Sequence, residues 1–293
     1  MKKSDQPVVI GIGELLWDML PAGKRAGGAP INFVYHATQL GAEGYAISAV
    51  GNDALGDEIV DELKKSGIRY CLTRNDYPTG HVKVILNDGI PAYEIVENVA
   101  WDHLRATDEA VRLVERADAV CFGTLALRGT ETKAAVETLL AHTPPQALRF
   151  FDVNLRGNYY SRPLIEELLS KANIFKINDE EIVVLKQLFN LAGSEDEICR
   201  EFIKQFRLKY MIFTAGAQYS AVYTENEKSY LPTPKVDVAD TVGAGDSFSG
   251  AFVYNILTGK SLREAHAAAV KTAAFVSTKS GAWPLYEKEI VHD

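Results

Sequence analysis

The segment Asp240-Thr-Val-Gly-Ala-Gly-Asp-Ser-Phe-Ser-Gly-Ala-Phe252 runs small residues and a carboxylate into what reads as a loop-to-helix junction. A helix starting after Gly243, Ala244 and Gly245 leaves its first backbone amides without intrahelical partners. With almost no side chain in the way, another molecule can approach that backbone closely, and the helix macrodipole adds roughly half a positive charge. The segment is therefore a cradle for an anion. Asp246 does not suit an anion, which it would repel, but it suits a base. A neutral hydroxyl between Asp246 and a terminal phosphate can give its proton to the carboxylate while the amides stabilise the transferring phosphoryl group. The plainer alternative is an aspartate that only caps its helix.

Such a tip needs a rigid frame. Short apolar runs at 8–13, 45–50, 119–125, 148–153, 174–178 and 210–216 have the composition of buried strands. Helical patterns at 30–40, 54–66, 107–116, 131–142, 161–171, 179–189 and 195–206 alternate with them. That alternation predicts βαβ units and a mostly parallel sheet covered on both faces, with ligands beyond the carboxyl ends of the strands. The stretch 80–98 departs from it, alternating apolar and polar residues on either side of the turn signal Asn87-Asp88-Gly89. It predicts an antiparallel hairpin standing apart from the main sheet, as a flap over the strand ends or a purely structural edge. From Phe248 onward small and apolar residues predict a helix buried against the sheet.

Composition narrows the class. The 293 residues are 47% hydrophobic and 24% charged, a soluble globular profile, with a net charge of -8. That charge and the lack of a Lys/Arg cluster argue against nucleic-acid or anionic-membrane partners. Cys71, Cys121 and Cys199 are too few and too scattered for a disulfide framework or a zinc site, which suits reduced thiols in a cytoplasmic protein. The apolar run at the start is short and soon meets Glu14 and Asp18, unlike a signal peptide, and no stretch is long enough to span a bilayer. Gly11-Ile12-Gly13 follows a strand, but Leu16 stands where a dinucleotide fingerprint needs its third glycine, and there is no P-loop.

Four motifs, in order along the chain, resemble those of the ribokinase-like, or pfkB-type, carbohydrate kinases. AGGAPINFVYHATQLGA (26–42) is similar to the family's sugar-binding segment, FFDVNLR (150–156) to its Asp-x-Asn-x-Arg strand end, NDEE (178–181) to its Asn-x-x-Glu motif, and DTVGAGDSFSGAF to its carboxy-terminal signature. The resemblance implies a ribokinase-like three-layer α/β/α sandwich with a mostly parallel sheet and a small β lid. It also implies one domain over 1–293, with the lid contributed mainly by about 14–26 and 79–99. It makes Asp246 the general base and Gly243, Ala244 and Gly245, with the Asp246 amide, the anion hole. Asp18, Gly27, Gly28 and Asn32 would hold the sugar, with Asn154 and Arg156 as further candidates. Asn178, Thr214, Gly216, Gly243 and Gly245 would meet ATP, Glu181 a Mg²⁺ ion through water, and Asp240 a possible K⁺ ion. Tyr219 departs from the pattern, standing where the nucleotide loop usually has a second glycine.

Within that resemblance GELLWDML and GGAPINFVYHATQLG look most similar to the fructokinase branch, so fructose is the expected acceptor. Ribose, 2-keto-3-deoxygluconate and a nucleoside are the alternatives. A sugar-binding protein without turnover is the reading from another class, which the intact Asp246 opposes. A flap with free strand edges also suits a homodimer formed through the lid.

Overall fold

The structure, a computed structural model, describes residues 6–21, 23–87 and 90–286, with backbone only for 84–87 and 90–93. Thirteen strands lie among them: β1 (Val8–Ile12), β2 (Leu16–Leu20), β3 (Gly23–Gly27), β4 (Glu43–Gly51), β5 (Arg69–Asn75), β6 (His81–Asn87), β7 (Ile90–Ile95), β8 (Ala119–Phe122), β9 (Leu148–Asp152), β10 (Ile174–Asn178), β11 (Tyr210–Ala215), β12 (Tyr219–Tyr223) and β13 (Lys228–Pro232). The helices are α1 (Ala29–Gln39), α2 (Ala54–Lys65), α3 (Asp108–Val114), α4 (Thr130–His142), α5 (Arg162–Lys171), α6 (Asp179–Phe189), α7 (Glu195–Phe206), α8 (Ala244–Leu257) and α9 (Leu262–Ser277).

Nine strands form one sheet in the order β13-β12-β11-β10-β9-β8-β1-β4-β5. It is parallel from β5 to β11, and β12 and β13 extend it antiparallel. Successive side chains of each strand face opposite sides, so the buried runs feed two cores. Ile10, Val120, Phe122, Phe151, Phe175 and Phe213 pack with α3 to α7 on one face. Val9, Ala119, Phe150, Ile174 and Ile212 pack with α1, α2, α8 and α9 on the other. The result is the expected α/β/α sandwich. A sheet buried on both faces has no room for polar alternation, which is why its strands read as continuous apolar runs.

The remaining strands form a second sheet, β3-β2-β6-β7, the small β lid. It joins two antiparallel pairs through a parallel contact of β2 with β6. In β6 and β7 Asn87 pairs with Ile90; Asp88 and Gly89, the core of the predicted turn, lie outside the described residues. The lid is drawn onto the main body by Trp17, whose indole donates to the Leu55 carbonyl at 3.0 Å, and by an ion pair from Lys24 to Glu58 on α2.

The last elements position the candidate chemistry. Helix α8 begins at Ala244 rather than after Gly245, with Gly243 as its N-cap in the left-handed region (φ 77°) and no side chain capping it. Asp246 is thereby the third residue of the helix and lies inside its first turn. Gly250 lets α8 approach α1 closely, since a methyl there would sit 2.6 Å from the Phe33 carbonyl oxygen.

Candidate active site

The tip of α8 abuts the carboxyl ends of the parallel strands. One cleft there is lined by Pro30, Phe33, Cys121, Asp152, Asn154 and Asp246. Asp246, the expected base, remains partly accessible. Burial and the neighbouring Asp152 charge push its pKa up to about 6, against the opposing pull of a hydrogen bond from Asn32 and the charges of Lys176 and Arg156. A carboxylate so placed is mostly ionised at neutral pH yet far more basic than an exposed aspartate.

Asn32 is oriented by its other partner. The Trp283 indole can only donate, and it donates to Asn32 Oδ1 at 2.7 Å. That leaves Asn32 Nδ2 as donor, and it reaches Asp246 Oδ2 at 2.8 Å. Asn32, buried in the first turn of α1, therefore aims the carboxylate. A methyl on Gly27 would lie 3.1 Å from Asp18 Oδ2 and 3.9 Å from Asn32 Oδ1, so these three expected sugar-binding residues converge. Gly28 has a different reason to be glycine: its φ is 116° and a Cβ would lie 2.1 Å from the Glu14 carbonyl oxygen. Arg156 is exposed and its charge acts on Glu14, Asp18 and Asp246 alike, which puts a cation at the open side of three acids.

One of the four amides expected to form the anion hole is already engaged. The Ala244 amide donates to the Thr241 carbonyl at 3.2 Å, so Gly243, Gly245 and Asp246 carry the amides with no acceptor among the described residues. Asn178 and Thr214 are register partners at the ends of β10 and β11, and Gly216 follows with φ 47° and open space around it. They form one flank of the same strand ends. Tyr219 already belongs to β12, outside the turn, and its hydroxyl bonds Glu195, so the missing glycine does not distort the loop.

Two expected metal residues have other partners. Asn178 and Glu181 form a capping box: Asn178 Oδ1 accepts from the Glu180 and Glu181 amides, and Glu181 Oε2 accepts from the Asn178 amide at 2.9 Å. Glu181 Oε1 accepts from the Leu155 amide at 3.0 Å. With both oxygens engaged and the residue buried, Glu181 holds the 154–156 loop against α6, and only water of a metal's hydration shell suits it. Asp240 uses Oδ1 for the Val242 amide and Oδ2 for the Gly281 amide, both at 3.0 Å, and for Arg25. Its carboxyl stays below the usual range because these contacts outweigh its partial burial. A K⁺ ion there would face a guanidinium already in place, so the site does not fit the ion. Among the described residues no group of three or more His, Cys, Asp or Glu is arranged to hold a metal.

Lys176, Asp152 and Glu14 are absent from the sequence-derived site. Lys176 Nζ lies 2.7 Å from Asp152 Oδ2, with both side chains 8% exposed, and 3.4 Å from where a Gly245 Cβ would be. Burial opposes its charge, but Asp152, Glu181 and Asp246 together hold its pKa above the usual value. It is a fixed positive charge beneath the helix tip. Its signal was in the sequence: a lysine inside an otherwise apolar parallel strand must find a buried partner. Glu14, 2% exposed, is pushed up to about 7 chiefly by burial, and its Oε2 has no hydrogen-bond partner among the described residues.

The family model for pfkB family carbohydrate kinases matches residues 21–288. A putative sugar kinase of Pyrococcus horikoshii is 28% identical, over 96% of this chain and 94% of its own length. Fructokinase-2 of Oryza sativa subsp. japonica is 28% identical, over 94% of this chain and 90% of its own. The crystal structure of fructokinase with bound ATP from Xylella fastidiosa shares the fold, with a TM-score of 0.84, 22% identity and 94% coverage of both chains.

Proposed function

The chain belongs to the pfkB family of carbohydrate kinases, phosphotransferases that act on an alcohol group, and we propose that it transfers the γ-phosphoryl group of ATP to a hydroxyl of fructose. Fructose is supported by the rice fructokinase relative and by a polar cluster suited to a polyol: Asp18 accepts from hydroxyls, and Arg156 donates at the open side. The observation that carries the reaction is Asp246, partly accessible, aimed by Asn32 and raised to about 6, on the same helix tip as three open amides.

The sugar hydroxyl loses its proton to Asp246 Oδ as its oxygen bonds to the γ-phosphorus, while the bond from that phosphorus to the β,γ-bridging oxygen breaks and ADP leaves with the bonding pair. The amides of Gly243, Gly245 and Asp246 receive the charge on the phosphoryl oxygens, and Lys176 offsets the carboxylates crowded behind them. Asn178, Thr214 and Gly216 would flank the nucleotide. Glu181 would hold a magnesium ion through water of the ion's hydration shell, and the chemistry supplied there would be neutralisation of phosphate charge. Lid closure over the cleft keeps water from competing with the sugar. Three buried, unpaired cysteines support a reducing, cytoplasmic setting, and the outer strand β3 offers an edge through which a second copy could pair.

The test is ATP-dependent phosphorylation of fructose, ribose, 2-keto-3-deoxygluconate and a nucleoside panel, with Asp246→Asn alongside. Fructose should lead the others in kcat/KM by about tenfold or more, and Asp246→Asn should lower turnover by at least about 100-fold with a melting temperature no lower than that of the wild type. Preference for another acceptor overturns fructose; near-normal turnover of Asp246→Asn overturns the base.

A further inference from the structure

Asp240 lies three residues before the N-cap of α8, where three separate pieces of chain meet. The first is its own loop, tied to the end of α9 by the Ala239 amide donating to the Ser277 carbonyl at 2.9 Å and by the Asp240 amide at 3.3 Å. The second is the segment after α9, whose Gly281 amide donates to Asp240 Oδ2 and whose Ala282 packs on Gly243, only 2.8 Å from a hypothetical Cβ there. The third is the lid. Arg25, on β3, is 215 residues away in sequence, yet its Nη1 reaches Asp240 Oδ2 at 3.3 Å and its Nη2 reaches Ser280 Oγ at 2.8 Å. A methyl on Gly281 would lie 3.0 Å from that Nη1, so the guanidinium lies flat against the turn.

We infer that Arg25 is a built-in replacement for a monovalent cation at the Asp240 loop, so that closing the lid completes the charge balance behind the anion hole. The chemistry favours an arginine in this role. Its guanidinium is always charged, weakly hydrated and planar, and its fork can serve Asp240 and Ser280 together, where a compact ammonium could not. Arg25 also pairs across the lid with Asp18 in β2, so the residue expected to hold the sugar and the residue that reaches the loop sit opposite each other on neighbouring strands. The guanidinium already reaches Asp240 without sugar, so sugar that settles against Asp18 meets a strand pair held at the loop. Arg25 is a positioning residue in this scheme and touches neither substrate. The pair is 40% and 23% exposed, so it adds little stability of its own; its effect is on where the loop and lid sit.

This inference rests on the phosphoryl-transfer reading for its activity arm and not for its thermal arm. The full-length protein and Arg25→Ala are compared in tetramethylammonium, Na⁺ and K⁺ salts at equal ionic strength. The wild type should change by less than about twofold in kcat when K⁺ is added, and its melting temperature should not distinguish K⁺ from tetramethylammonium. Arg25→Ala should lose about tenfold in kcat without alkali cation, recover most of it in K⁺, and melt higher in K⁺ than in tetramethylammonium. Arg25→Gln, which keeps most of the stem, serves the same comparison if the alanine variant is unstable. Strong K⁺ activation of the wild type, or a loss in the variant that no cation restores, overturns the inference. If the protein proves inactive on every sugar, the K⁺-specific thermal shift of the variant still decides it.

Discussion

Replacing Asn32 by leucine removes the hydrogen bond that holds Asp246 Oδ2 at 2.8 Å while nearly keeping the side-chain volume. A hydrogen bond to a charged acceptor contributes about 1.5–3 kcal/mol. It favours the carboxylate over the acid, so its loss raises the Asp246 pKa, by about 1–2 units at 1.36 kcal/mol each. The acid limb of the kcat/KM profile, expected at about 6 in the wild type, should then move to about pH 7–8. At pH 7 the ionised fraction falls from about nine-tenths to between about half and one-tenth, so the shift alone lowers activity about two- to tenfold there, and that part of the loss disappears above about pH 9. The assay is kcat/KM for the sugar between pH 5 and 9.5. An acid limb that stays in place, or a loss of equal size at every pH, would refute the reasoning and make Asn32 a substrate contact only. Trp283 loses its acceptor in the same variant, so a stability loss of about 1–3 kcal/mol should accompany the kinetic change.

Lys176→Met leaves Asp152 as a buried charge without its partner and should cost about 3–5 kcal/mol by chemical denaturation; adding Asp152→Asn should recover part of that, and no recovery would deny the pair. Gly28→Ala forces a Cβ to within 2.1 Å of the Glu14 carbonyl oxygen at a φ of 116°, so the variant should melt well below the wild type, and an unchanged melting temperature would contradict the described turn. Glu14 is raised from 4.5 to about 7 in the folded protein. Its protonated form therefore favours folding: that contribution is fully present below pH 4.5 and is lost as pH rises through 7. Glu14→Gln should remove this loss and gain up to about 3 kcal/mol relative to the wild type between pH 4.5 and pH 8. A stability difference that does not vary with pH would count against it.

Much of the fold was legible because its signals are local. Parallel strands buried on both faces leave runs such as Val8 to Ile12 apolar throughout, and helix α6 announces its start with Asn178 and, three residues on, Glu181. That same pair shows where local reading stops. The spacing that suits a metal-facing pair is also the spacing of a capping box, and only the Leu155 amide on Glu181 shows how the second oxygen is used. Strands β2 and β3 were hard to see because both are short and carry charges and β3 has glycine at each end, and they are held by pairing with each other, by the contact of β2 with β6 and by packing on α2. Lys176 was passed over as one residue of a buried strand, since nothing nearby in sequence names Asp152 as its partner.

By itself the sequence determined the alternation of strands and helices, the glycine-lined helix start at 243–246 and the carboxylate behind it, because each depends on neighbours a few residues apart. Tertiary structure alone decided what that carboxylate is. Asn32 and Trp283, which orient it, are 251 residues apart, and Arg25 and Asp240 are 215 apart. A pKa, an open amide and an ion pair depend on distance through space and on the exclusion of water, and both exist only once the sheet, helices and lid have packed.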